Sequence, residues 1–146
     1  MKAKPRLQEK KPPHYTLDEA NAMLPLLRAI LGDVTTLAKD LRERYERIVR
    51  LQQAKGLDRA HEEEVEHLLA DFERGQEKMR EYEAELEKLG VELKDYYTGL
   101  IDFRHLKDGK EVYLCWRLGE PEIAHWHDLN SGFQGRQKIE ENVLNG

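Results

Sequence analysis

A single cysteine, Cys115, stands in the 146-residue chain, so no internal disulfide can form. One thiol with no partner fits a reducing, cytoplasmic setting, which is the expected location. No secretory apolar segment and no apolar run of membrane-spanning length is present, so no membrane partner is expected. No basic stripe with interleaved aromatics occurs, so nucleic acid is not expected as a partner. Excess positive charge is confined to residues 1–13, where Lys2, Lys4, Arg6, Lys10 and Lys11 face only Glu9. This basic tail reads most simply as a solvated N-terminal segment.

Charged residues make up 36% and apolar residues 39% of the chain, with net charge -5 and mean hydropathy -0.82. That combination suits long helices with a narrow apolar stripe better than a compact globule. Thr16-Leu17-Asp18-Glu19 forms a capping box, with Pro12-Pro13 keeping the chain extended upstream. Apolar residues then recur every seven positions: Leu17, Leu24, Leu31, Ala38, Tyr45 in one row and Ala20, Leu27, Val34, Leu41, Ile48 in the other. A continuous helix over 14–55 is predicted, bent by Pro25. Met23, Ile30 and Leu37 widen the stripe in its first half.

Gly56 and Leu57 suit a left-handed helix end, and Asp58 caps the next helix, predicted over 58–89. Val65, Phe72, Met79, Leu86 and Leu68, Gly75, Tyr82, Leu89 repeat the heptad, and Gly90 ends it. Two helices cannot bury both seams alone, so a third element or a second copy is required. A homodimer forming a four-helix bundle is expected.

After Gly90 come most of the aromatic residues and six of the ten glycines. Leu100 to Phe103 and Glu111 to Leu118 read as two strands joined at Asp108-Gly109, a hairpin-turn signal. Val112, Leu114, Trp116 and Leu118 would share one face, with Tyr113, Cys115 and Arg117 on the other. Ile123 to His127 reads as a third extended piece. The predicted fold is therefore mainly α: a long antiparallel helical hairpin with a small β-hairpin head over 91–138 and a short tail over 139–146. The antiparallel return brings this head to the first turns of helix one, where the apolar stripe is wide.

The ligand-type residues collect at that end. His125 and His127 are two apart and in a strand would share a face, a workable arrangement for two imidazoles on one metal. Glu120 and Glu122 lie just upstream, and Asp102 comes from the neighbouring hairpin. Histidine with carboxylates suits zinc, iron or manganese. Glu19 is first a capping residue and could also turn a carboxylate toward the head. Cys115 could be a ligand or a nucleophile, and beside Trp116 it reads more simply as a small core residue. His105 could pair with it, but no orienting third group is evident. Glu64 and His67 form one Glu-x-x-His step; a di-iron bundle needs two, and helix one has no histidine beyond its capping box. His61-Glu62 lacks the second histidine of a zinc-protease helix.

Several stretches together resemble a known family. They are Tyr15 to Asn21 with Leu24-Pro25, Gly99 to Phe103, Cys115-Trp116-Arg117-Leu118-Gly119-Glu120, Trp126-His127, Gly132-Phe133 and Gly135-Arg136. They resemble an uncharacterised bacterial family, domain-of-unknown-function family two-two-zero-three. The resemblance implies a helical-hairpin protein described as metal-binding, with no established reaction. It also implies an aromatic residue before Trp126, where this chain has His125, and so favours His127 as the anchor. Two readings follow. One is a small metal-binding protein with its site in the head, built on His127, Glu122, Glu120 and Asp102. The other is a non-catalytic helical scaffold acting through dimerisation or partner-helix docking.

Overall fold

The computed structural model describes residues 13–54 and 58–140. The basic tail and the Gly56-Leu57 turn lie outside the described residues. Thr16 caps α1 (Leu17–Ala22) with both halves of the capping box formed. Pro25 offers no N–H to the carbonyl four residues back, and the helix breaks at Met23 before resuming as α2 (Leu24–Gln53). The expectation of one continuous helix is corrected to this extent: Met23 stays in the right-handed region, so the chain carries on after the interruption. Asp58 caps α3 (Arg59–Lys88), its carboxylate accepting from the His61 amide at 2.9 Å. α2 and α3 each span about 45 Å at 1.5 Å per residue.

The head is larger than expected. It is a five-stranded antiparallel sheet in the order β1 (Val91–Asp95), β2 (Leu100–Lys107), β3 (Lys110–Arg117), β4 (His125–His127) and β5 (Gln137–Lys138). The fold is thus mixed helix and sheet rather than mainly α with a hairpin. β1 is hard to read from sequence because it is short and three of its five residues are charged. Its alternation is nonetheless sound: Val91 is buried and Leu93 packs on the core, while Glu92 and Lys94 face the other way.

One apolar core joins helices and sheet. Leu24, Leu27, Ile30, Leu31 and Val34 of α2 meet Met79 and Leu86 of α3, and Ile101, Phe103, Leu114 and Trp116 of the sheet. Met23 and Leu37 pack on its margin, so the widened stripe of helix one does receive the head. Each fully buried side chain of this size contributes about 1.5–3 kcal/mol. Polar contacts set the docking angle. The Tyr15 amide donates to the Arg104 carbonyl at 2.7 Å, the Tyr15 hydroxyl donates to the Leu89 carbonyl, and the Ile123 amide donates to Asn21 Oδ1 at 2.9 Å. Arg28 donates to the Pro121 carbonyl at 2.7 Å with its guanidinium 5.7 Å from the Trp116 ring centroid.

Gly90 makes the turn from α3 into β1 with φ +76°, and an added Cβ would lie 2.7 Å from Pro13 Cδ. Gly90→Ala should therefore lower unfolding free energy by about 1–2 kcal/mol, measurable by urea denaturation.

Candidate metal centre

The sheet has two faces and the helices cover one of them. On the covered face Ile101 pairs with Trp116 and Phe103 with Leu114. The residues between them, Asp102 and Cys115, are also directly opposed and must point to the other face. β4 then places His125 opposite Cys115 and His127 opposite Tyr113. This second face is no ordinary solvated surface. Asp102 and His127 are each 2% exposed and Cys115 is fully buried.

The three side chains converge. One ligand atom from each of Asp102, Cys115 and His127 lies within 4.8 Å of the other two. His127 Nδ1 is 2.8 Å from the Asp128 carbonyl. A carbonyl only accepts, so Nδ1 carries a proton there and donates it. Nε2, the ring's other nitrogen, is aimed at Asp102 Oδ2, 3.0 Å away. Burial pushes the Asp102 carboxyl above its ordinary range, opposed by His127 and by Lys94. Asp102 Oδ1 is buried without a hydrogen-bond partner among the described residues. Burial also pushes the Cys115 thiol up to about 11, with the Asp102 charge adding to the rise and Arg136 opposing it.

Neighbouring side chains close the face. The Tyr113 ring lies 5.3 Å from the His127 ring. The Arg136 charge favours the Cys115 thiolate, against the effect of burial. The Arg136 guanidinium makes two contacts with Glu120, at 3.1 and 2.8 Å, and sits 4.5 Å from the Phe133 ring centroid. Phe133 begins a short 3-10 turn, Phe133–Gly135, that brings the chain back across this side.

The other residues proposed as ligands are placed as follows. Glu120 accepts from the Arg117 amide at 2.8 Å as well as from Arg136, which pulls its carboxyl below the ordinary range against the opposing effect of burial. It organises the turn after β3 and anchors Arg136. Glu122 is exposed in the segment before β4. Glu19 is exposed, its carboxylate accepting from the Thr16 amide at 2.9 Å in the capping box. His125 flanks the cluster without joining it: its Nδ1 is 4.0 Å from Glu120 Oε2. His105 points instead at the Tyr15 carbonyl, 2.7 Å away.

Cys115, weighed in the sequence as a ligand but favoured as a small core residue, is the third member of the group. The signal was present in the turn. A two-residue hairpin at Asp108-Gly109 puts Lys107 opposite Lys110, and counting back along both strands puts Asp102 opposite Cys115. Asp108 and Gly109 do take the required positive φ values, 51° and 80°.

Residues 14–139 match the family described as "Uncharacterized conserved protein (DUF2203)". The chain belongs to this family. No curated protein and no solved structure matches it. In this DUF2203 chain, then, the buried Asp-Cys-His group is the feature with chemistry to explain. Among the described residues no helix is long and apolar enough to cross a membrane.

A buried thiol with a raised pKa is a poor nucleophile. Native protein at neutral pH should leave Cys115 unlabelled by a maleimide over minutes, with full labelling in denaturant; rapid native labelling would contradict the burial.

Proposed function

We propose that this protein binds a divalent cation through Asp102, Cys115 and His127. The observation that carries the reading is the mutual approach of three donor atoms of the right kinds within 4.8 Å, in a region closed to water. Two details support it. The Asp128 carbonyl holds the imidazole by Nδ1 and so presents Nε2 to the cluster, the outer-shell contact that metal-bound histidines commonly have. Asp102 Oδ1 lacks a hydrogen-bond partner among the described residues, and leaving a buried acceptor unsatisfied costs about 1–3 kcal/mol. A cation would give that oxygen, or its neighbour, a bond.

One thiolate with imidazole and carboxylate favours zinc or iron over manganese, since sulfur is a soft donor. Such an ion would supply a fixed double positive charge joining β2, β3 and β4. No reaction is assigned. The grooves on the surface at the α2–α3 face, beside Gly90 and along the β3–β4 side are lined by other residues.

Protein made without a histidine tag should contain about one zinc or iron per chain by elemental analysis. Cys115→Ser and His127→Ala should each lower that content severalfold. Added metal at about a hundredfold excess over Kd should raise wild-type stability by about 2.7 kcal/mol. Equally low metal in wild type and both variants, with no change in melting, would end this reading.

A second reading, the helical scaffold, has its own observation. Away from the head the hairpin leaves Tyr45 56% and Leu69 40% exposed. A groove of about 420 Å³ opens where Tyr45 and Phe72 of the helices meet Tyr96 and Tyr97 of the head. This supports a second copy covering the seam. Light scattering should then give a dimer that Tyr45→Glu with Leu69→Glu converts to monomer; a wild-type monomer at high concentration would remove the reading.

A further inference from the structure

We propose that His125 is the fourth ligand of the cation held by Asp102, Cys115 and His127, closing the site with protein donors. The inference rests on the metal-binding reading above. The strand registers carry it. Asp102 stands opposite Cys115, and Cys115 stands opposite His125. Three neighbouring strands therefore put a carboxylate, a thiol and an imidazole in one row across the face away from the helices. Directly opposed residues have Cβ atoms about 4.5–5.5 Å apart, a span that two ligands of one ion readily bridge. His127 joins from the next same-face position of β4 and reaches Asp102.

His125 is the member of this group with an unused nitrogen. Its Nδ1 is shut off from solvent and has no hydrogen-bond partner among the described residues. The nearby acid, Glu120, is 4.0 Å away, beyond hydrogen-bonding distance. Glu120 is also committed elsewhere, to Arg136 and to the Arg117 amide. Ligation requires the imidazole to turn about its side-chain bonds from Glu120 toward Cys115, its directly opposed partner on β3.

The other same-face acid in the row, Glu92, lies opposite Asp102 and is bonded to Lys94 at 3.0 Å. His125 is thus the donor with a free valence. Four protein ligands from three strands leave no open position, the arrangement of structural rather than catalytic zinc. The metal is then a staple for the sheet face opposite α2 and α3. Its charge is matched, since one carboxylate and one thiolate balance a divalent ion.

Cobalt(II) substitution of the untagged, chelator-stripped protein tests this. Wild type should show a thiolate-to-metal charge-transfer band and the intense ligand-field bands of a four-coordinate ion. His125→Gln should keep the charge-transfer band, lose ligand-field intensity as water enters, and bind cobalt(II) at least ~10-fold more weakly. His125→Asn should behave alike, and circular dichroism of the metal-free variants checks that they fold. Variants with wild-type affinity and unchanged ligand-field bands would overturn the fourth ligand while leaving the three-residue site standing. Absence of the charge-transfer band in wild type would instead remove Cys115, and with it both readings.

Discussion

In a strand, successive side chains point to opposite faces, so the register between β2 and β3 decides two things at once. It sends Ile101, Phe103, Leu114 and Trp116 toward the helices. It sends Asp102 and Cys115, directly opposed, to the far side. A slip of one residue would bury the carboxylate against Leu27 and Leu31 and turn the core outward. The tight Asp108-Gly109 turn opposes that slip, because a two-residue loop with positive φ at both positions matches the twist of the strands and fixes their register. Core and candidate site are consequently two products of one pairing.

The far face then faces a problem that the near face does not. Among the described residues no helix layer covers it, yet Asp102, Cys115 and His127 are buried there. The cover is polar and local. Glu120 holds the turn after β3 by the Arg117 amide and holds Arg136 by two contacts. Arg136 in turn lies over Phe133. Such a network is stable only when its members are satisfied, because the low dielectric that strengthens each bond also raises the cost of a missing one. Asp102 Oδ1, His125 Nδ1 and Arg104 Nε are the missing ones among the described residues. Two of these three atoms belong to the row that runs from Asp102 through Cys115 to His125. That coincidence is what gives the face its chemical interest.

The hairpin's ends differ for a related reason. Near Gly90 the helices have a third layer to pack against, and Leu24, Leu27, Leu31 and Leu86 are nearly or fully buried. Farther out they have only each other, and Tyr45 and Leu69 stay exposed. Pro25 falls inside the docked end, where tertiary contacts from Asn21 and Arg28 to the loop before β4 hold the chain across the break. An interruption of that kind is tolerated where packing is dense and would be costly where it is not.

Much of this was legible in the residues. The capping box at Thr16, the Asp58 cap, the heptad rows, the Asp108-Gly109 turn and the pairing of head with helix start are local patterns. Each depends on contacts a few residues apart or on a period set by backbone geometry. Asp102 and His127 could be chosen by type and by their position in the head. The first strand could not, because Val91 to Asp95 is short and its charges mask a two-residue period. Glu120 looks like a ligand by type alone, and only its hydrogen-bond partners give it other employment, whereas the capping box already engages Glu19 in the sequence. Membership of Cys115 in the cluster, and the unused nitrogen of His125, needed the tertiary structure. Sequence by itself determined the elements and their faces, since periodicity is a property of one segment. Which side chains meet across strands, and which of them lose water, was decided by the packed sheet, since burial and partnership belong to several segments at once.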